Sequence, residues 1–237
     1  MNLILITEDE VVAGVCTLTD ARAEHLCKFL HAQPGSTFRV GVVDGLQGIA
    51  TVMDVTDTAV SFSIDCNEST LPPWYDLILA LPRPRSLRRI LFQSAAMGVR
   101  NIFVVGAKKV EKSYFSMHLL REEEYRPVLL EGLMQGKSTA LPRIHIVPKL
   151  RDLWAQLPSE DTLRIIANPS DQNFGISQSA GFPVIAIGPD GGWTTEENEA
   201  FAAQGFLPFT LGPRPLRTDT AAIALPAVIQ DRLHFRG

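Results

Sequence analysis

The pattern of apolar and polar positions divides the chain into two parts. In residues 3–72, short apolar or alternating runs are separated by turn residues, which predicts a small β-barrel. We predict its strands at 3–7, 37–43, 48–55 and 59–65, and a single helix at 20–31. Asp44-Gly45, between the second and third strands, is typical of a hairpin. Because Leu71-Pro72-Pro73 interrupts the pattern, we predict domains at 1–72 and 73–237.

From residue 74 onward, apolar runs of strand length alternate with segments of helical spacing. We predict strands at 75–81, 101–105, 143–147, 163–168, 183–187 and 206–211, and helices at 86–98, 117–133, 149–157, 194–204 and 218–235. Pro127 could interrupt the second of these helices, and Pro226 should kink the last one or make it restart. The alternation indicates an α/β domain with a mostly parallel sheet, in which ligands bind at the carboxyl ends of the strands.

Charge is distributed unevenly along the 237 residues, although the net charge is only −4. Residues 1–82 carry 3 basic and 11 acidic side chains, whereas residues 83–143 carry 12 basic and 5 acidic ones. A concentrated basic segment is a candidate surface for a polyanion. A solvated, helix-rich segment that happens to be basic explains the charge at least as well.

The basic segment contains candidate RNA-binding residues at two strand ends. They are Arg83, Arg85, Arg88, Lys108 and Lys112. Tyr114 and Phe115 lie beside the lysines, and aromatic rings interleaved with cations suit stacked bases and phosphates. Packing in the core is the alternative explanation for these two rings.

Cysteine and histidine give no sign of a metal site. Cys16, Cys27 and Cys66 lack metal-binding spacing, and the five histidines are scattered. An odd number of unpatterned cysteines favours a reducing compartment. The N-terminal apolar run is too short for a signal peptide, and no apolar run approaches the length of a membrane span. We therefore expect a cytoplasmic protein that binds no metal and no membrane.

Two loops rich in glycine and proline are the strongest candidates for a ligand site. Residues 187–193, Ile-Gly-Pro-Asp-Gly-Gly-Trp, join an apolar strand to a helix, and residues 211–217, Leu-Gly-Pro-Arg-Pro-Leu-Arg, do the same later. Small residues let a ligand approach the backbone closely. The loops are nearly uncharged and lack a phosphate-binding lysine, which suits an adenine-containing cofactor better than a triphosphate. Two tight turns without any ligand are the alternative.

Arg217 stands at the end of the second loop, directly before the helix-capping sequence Thr218-Asp219-Thr220. Capping explains Thr218 and Asp219 as well as a functional role does. It does not explain Arg217, because a cation near a helix N-terminus is mildly unfavourable. We therefore interpret Arg217 as a functional residue.

The two loops, together with Glu196-Glu197 and the continuation to Ala221, resemble the signature loops of the RsmE family. These are bacterial 16S rRNA uridine-N3 methyltransferases of the SPOUT superfamily. The resemblance implies a C-terminal SPOUT domain with a trefoil knot and a parallel sheet, and an N-terminal PUA-like β-barrel that binds RNA. It also implies S-adenosylmethionine as cofactor, 16S rRNA of the small ribosomal subunit as partner, and a homodimer.

The resemblance also assigns roles to residues of the loops. The cofactor would be contacted by Asn168, Ile187, Gly188, Pro189, Gly191, Gly192, Leu211, Gly212 and Leu216. Arg217 would lie nearest the methyl group and the target base, and the base that removes a proton would be Asp219, another acidic group or water. A SPOUT enzyme acting on tRNA or on a ribose 2′-hydroxyl is one alternative, and a non-catalytic RNA-binding module is another.

Overall fold

The computed structural model describes residues 3–158, 161–168 and 181–234. The chain forms two compact units. The first comprises Met1–Pro72 and Leu130–Leu141, and the second comprises Pro73–Leu129 and Pro142–Gly237.

The first unit is built on a six-stranded sheet that packs against helix α1 (Ala21–Lys28). Its other elements are β1 (Ile4–Ile6), β2 (Val11–Val12), β3 (Val15–Leu18), β4 (Thr37–Val42), β5 (Gln47–Val55) and β6 (Val60–Glu68). The strand order is β1-β4-β5-β6-β3-β2, with β1 parallel to β4 and the other pairs antiparallel. Alternate residues of the strands, such as Ala50 and Val52, point into an apolar core that also includes Leu26 of α1.

The hairpin of β2 and β3 was missed by the sequence analysis. Ala13 and Gly14 connect the two strands, with φ angles of 50° and 78°. Two successive positive φ angles are the geometry of a tight hairpin turn. The alternation of buried Cys16 and Leu18 with exposed Thr17 was the available signal, but it spans only four residues.

The segment 130–141 differs from the predicted boundary, which placed it in the second domain. It packs in the first unit because it holds the Asp44-Gly45 turn. The Thr139 hydroxyl donates to the Gly45 carbonyl oxygen at 2.6 Å, and the Asp44 N–H donates to the Thr139 carbonyl oxygen at 2.8 Å. The Leu141 N–H donates to Asp44 Oδ1 at 2.8 Å. Sequence periodicity carries no information about such long-range bonds.

The second unit is an α/β structure with a parallel sheet, as predicted. Its strands are β7 (Tyr75–Ala80), β8 (Val99–Val105), β9 (Arg143–Val147), β10 (Thr162–Ala167), β11 (Phe182–Ile187) and β12 (Leu207–Phe209). The helices that accompany them are α2 (Pro84–Ala96), α4 (Thr195–Ala203), α5 (Thr218–His234) and the part of α3 (Glu122–Gly136) that precedes Leu130. The strand order is β12-β10-β11-β7-β8-β9, and every pair is parallel. All six residues of β7 are buried, which fits its central position.

Two of the predicted helices differ from the structure. Residues 149–157 form two short 3₁₀ turns, Leu150–Asp152 and Trp154–Gln156, instead of an α-helix. Pro148 and Pro158 flank the segment, and buried Leu153 packs in the core of the second unit. Helix α3 begins at Glu122, later than predicted, and continues through Pro127.

The last strand and the last helix also differ in detail. Strand β12 ends at Phe209, although we predicted a strand to 211. The Thr210 hydroxyl bonds instead to the N–H and the carbonyl oxygen of Gly212, each at 3.1 Å, and this takes the chain out of the sheet. Helix α5 runs through Pro226 as a single element, so the helix does not restart there.

Asp76, near the start of β7, is a fully buried carboxylate. Arg100 donates to its two oxygens at 3.1 and 2.8 Å, and Asn101 donates to Oδ1 through its backbone and its side chain. His145 Nε2 lies 3.3 Å from Asn101 Oδ1, and its ring stacks on Phe103. Four donors compensate the buried charge, so this network holds β7, β8 and β9 together at the end of the sheet opposite the glycine-rich loops.

Candidate functional site

A cavity of about 280 Å³ lies at the carboxyl ends of β10, β11 and β12. The structure brings together all nine residues that the resemblance assigned to the cofactor. The cavity is lined by Asn168, Ile187, Gly188, Pro189, Gly191, Gly192, Leu211, Gly212 and Leu216, along with other residues. The three strands are neighbours or next neighbours in the sheet, so their following loops converge.

A hydrogen-bonded bridge joins the two glycine-rich loops. The buried Thr218 hydroxyl donates to the Gly188 carbonyl oxygen at 3.0 Å and lies 3.1 Å from Asp190 Oδ1. The loops themselves require glycine at two places, because Gly192 has φ of 68° and Gly212 has φ of 114°. The start of α5 and both loops therefore form one wall of the cavity.

The first loop is held in place by the buried aromatic ring of Trp193 at its end. Trp193 is 7% exposed, and its ring centroid lies 4.8 Å from that of Phe201 on α4. A Cβ atom at Gly188 would lie 3.1 Å from Trp193 Nε1, so a side chain at this position would have to displace the indole ring. Gly188 therefore lets the backbone pass close over the indole while its other side faces the cavity.

The loop after β8 is tied to this wall by a buried carboxylate and a lysine. Glu197 is 7% exposed and accepts hydrogen bonds from the Lys108 N–H at 2.7 Å and the Thr194 N–H at 2.8 Å. Lys109 Nζ donates to the Gly191 carbonyl oxygen at 2.6 Å. The loop that carries two of the predicted RNA contacts is therefore bonded to the loop that lines the cavity.

Arg217 and Asp219 are next to lining residues of the cavity in sequence but do not line it themselves. Arg217 stands between the lining residues Leu216 and Thr218, and 69% of its side chain is exposed. The Asp219 side chain is only 6% exposed, and its Oδ1 lies 3.6 Å from Arg217 Nε. Its Oδ2 accepts a hydrogen bond from Arg89 Nη1 at 3.0 Å. In the sequence, Arg89 is one of the arginines of the basic segment, and nothing there indicated its contact with Asp219.

The cations predicted to bind RNA are all exposed. Arg83, Arg85 and Arg88 lie at the start of α2, after β7, and Lys108 and Lys112 follow β8. Because β7 and β8 are adjacent parallel strands, the two groups extend from the same edge of the sheet as the cavity loops.

Several residues that line the cavity were missed by the sequence analysis. Phe209 ends the last strand, Thr210 follows it, and Ala221 and Leu225 lie on α5. The spacing of Thr218, Ala221 and Leu225 is that of one helix face, and this was the signal that could have found them.

No group of three or more His, Cys, Asp or Glu side chains within residues 3–158, 161–168 and 181–234 could hold a metal ion. Within the same ranges, no helix is both long and apolar enough to cross a membrane.

Comparison with known proteins identifies the family. Residues 69–230 match the model of an RNA methyltransferase domain. Over 246 aligned residues the chain is 32% identical to ribosomal RNA small subunit methyltransferase E of Treponema pallidum, covering 99% of this chain and 92% of that protein. The chain belongs to the ribosomal RNA small subunit methyltransferase E (RsmE) family. The resemblance seen in the two loops is thereby confirmed.

Two further comparisons agree with membership of the RsmE family. Ribosomal RNA small subunit methyltransferase E 1 of Borreliella burgdorferi is 30% identical over 237 residues, covering 98% of this chain and 99% of that protein. A crystal structure of the Neisseria gonorrhoeae RsmE bound to S-adenosyl methionine has a TM-score of 0.79 and 23% identity, with 97% of both chains covered. At that identity the structural likeness shows a common fold.

Proposed function

We propose that this chain is an S-adenosylmethionine-dependent methyltransferase that methylates N3 of a uridine in 16S rRNA. The observation that carries the proposal is the convergence of the two signature loops on one cavity beside an exposed arginine. The names of the relatives, which are ribosomal RNA small subunit methyltransferases, support the same substrate class.

The cavity suits the cofactor in its chemistry. Its walls are largely backbone and apolar side chains, including Ile187, Leu211 and Leu216. Such a surface fits an adenine ring and a thioether chain, and the backbone groups of the loops fit the polar edges of the base. Asn168, at the end of β10, adds a side-chain amide. We therefore assign the nine predicted residues to cofactor binding.

Arg217 is assigned to the methyl-transfer step. N3 becomes a nucleophile when it loses its proton to water, and the negative charge of the deprotonated uracil spreads onto its carbonyl oxygens. The exposed Arg217 guanidinium can stabilise that charge by donating hydrogen bonds to a carbonyl oxygen. S-Adenosylmethionine would supply an activated methyl group, whose transfer to N3 breaks the S–CH₃ bond, forms the N–CH₃ bond and releases S-adenosylhomocysteine. Both oxygens of Asp219 face donors, which favours an orienting role over proton removal.

Titration calorimetry with S-adenosylhomocysteine, combined with a methylation assay, tests this assignment. We expect micromolar binding, about −8 kcal/mol, and 3-methyluridine in nuclease digests of 16S rRNA or small subunits from a strain that lacks the modification. Arg217→Ala should abolish turnover and leave the affinity for S-adenosylhomocysteine within about threefold. Loss of binding alone would make Arg217 a cofactor-site residue instead. A folded protein without any binding would favour a non-catalytic RNA-binding module.

The identity of the modified nucleoside separates this proposal from its nearest rivals. A 2′-O-methylated nucleoside, or methylation of tRNA in place of 16S rRNA, would identify a different SPOUT activity.

The exposed cations Arg83, Arg85, Arg88, Lys108 and Lys112 are assigned to the RNA backbone. Replacing Arg85 and Lys112 by alanine should raise KM for RNA and flatten its salt dependence, with kcat unchanged.

We extend the proposal to the two domains and to the oligomeric state. We assign the unit of residues 1–72 and 130–141 to a PUA-like barrel that contacts RNA, and the unit of residues 73–129 and 142–237 to a trefoil-knotted SPOUT domain. We assign the active state to a cytoplasmic homodimer with each site near the subunit interface. Sedimentation analysis with and without S-adenosylhomocysteine tests the dimer. A monomer at micromolar concentration in both conditions would contradict it.

A further inference from the structure

Arg89 reaches the proposed active site from a different part of the chain. It lies on α2, and its Nη1 donates to Asp219 Oδ2 on α5 at 3.0 Å. The two residues are 130 positions apart in sequence. The Arg89 side chain is 57% exposed, whereas Asp219 is almost completely buried. The carboxylate is therefore fixed inside the wall, and Arg89 covers one side of it.

Asp219 lies between two guanidinium groups. Its Oδ2 bonds to Arg89, and its Oδ1 accepts the Thr220 N–H at 3.0 Å and lies 3.6 Å from Arg217 Nε. Arg89, Asp219 and Arg217 together carry a net charge of +1, and both guanidinium groups are exposed. Because Coulomb attraction falls with distance, the carboxylate is compensated more strongly by Arg89 than by Arg217.

We infer that Arg89 is a positioning residue of the methyl-transfer site, which neutralises Asp219 and so leaves the charge of Arg217 for the RNA base. This inference rests on the proposed function. Asp219 orients Arg217, but a carboxylate paired with Arg217 alone would cancel the charge that the reacting uracil needs. Arg89 resolves this conflict, because it supplies the second cation from α2.

Removal of Arg89 should lower the rate of the chemical step without weakening ligand binding. Loss of a direct oxyanion donor costs about 10²–10³ in kcat, so an indirect loss of charge should cost about tenfold. For Arg89→Ala we expect kcat to fall about tenfold, with KM for RNA and the affinity for S-adenosylhomocysteine unchanged within about threefold. Arg89→Lys should restore most of the rate, because an ammonium group also neutralises Asp219.

Arg151→Ala is a matched control. Arg151 is 76% exposed, pairs with Asp152 at 3.5 Å and lies outside the cavity wall. Its removal changes the net charge by the same amount, so any general effect on RNA attraction appears in both variants. Thermal unfolding of both variants checks that the fold is retained.

The decisive test is a double-mutant cycle with Asp219→Asn. If Arg89 acts by neutralising Asp219, Arg89→Ala should have no effect on kcat when residue 219 is already uncharged. An equal loss in both backgrounds would overturn the inference and indicate direct contact of Arg89 with RNA. An Asp219→Asn variant without turnover would also overturn it, because Asp219 would then be essential in its own right. Failure of the proposed function looks different, since the wild-type protein would neither bind S-adenosylhomocysteine nor methylate RNA.

Discussion

Gly192 offers a test of the cavity that separates backbone strain from ligand binding. Its φ is 68°, and an added Cβ would meet no protein atom within 4 Å. Gly205, after α4, has φ of 78° and equally open surroundings, but it does not line the cavity. Alanine in the left-handed region costs about 1–2 kcal/mol. Both substitutions should therefore lower the Tm to the same extent, by about 2–4 °C for each kcal/mol of lost stability.

The two variants should differ in cofactor affinity. The new methyl group at position 192 occupies space beside a cavity of about 280 Å³, where the proposed ligand approaches the backbone. Displacing the ligand there forfeits one hydrogen bond, about 0.5–1.5 kcal/mol, and contacts equivalent to one methylene, about 0.8 kcal/mol. Together these correspond to a loss of affinity of about tenfold or more.

Titration calorimetry with S-adenosylhomocysteine, run beside thermal unfolding, measures both effects. Gly192→Ala should bind about tenfold more weakly than the wild-type protein, and Gly205→Ala should bind as the wild-type protein does. Equal affinities in the two variants would refute the reasoning, because they would show that the Gly188–Gly192 turn takes no part in binding.

Two further predictions concern the network around Asp76. Asp76→Ala removes the buried acceptor of four hydrogen bonds from Arg100 and Asn101, and should lower the free energy of unfolding by about 3–5 kcal/mol, measured by urea denaturation. A loss below about 1 kcal/mol would contradict the role assigned to the carboxylate. Burial holds the pKa of His145 below its usual value of 6.5, so the unfolded chain takes up protons first and stability should be lost as pH falls below about 6.5. Tm measured from pH 7.5 to 5.0 should therefore fall less steeply in His145→Gln than in the wild-type protein, and identical slopes would contradict this.

Much of the site could be predicted from sequence because it is local. An apolar strand followed by glycine, proline and a capping threonine specifies both the turn and the start of the next helix within ten residues, as at Ile187 to Thr194. Alternation of strand and helix then places such turns at one edge of a parallel sheet.

The features that were missed depend on contacts between distant residues. Arg89 acquires its partner 130 residues later, and Thr139 bonds to a turn 94 residues earlier. The segment 149–157 has the periodicity of a helix, but it forms 3₁₀ turns in which Leu153 packs in the core. Neither effect is visible in a local pattern, because each arises from packing.

The position of β7 in the sheet has a consequence for biosynthesis. Asp76 of β7 pairs with Val184 of β11, so one neighbour of the most buried strand is made more than 100 residues after it. While the chain emerges from the ribosome, β8 can pair with β7 early and β9 with β8, but the other edge of β7 stays open and apolar until β11 appears. Such an edge is prone to wrong pairing. The nascent chain therefore passes through a stage in which it should be sensitive to aggregation and should benefit from a chaperone.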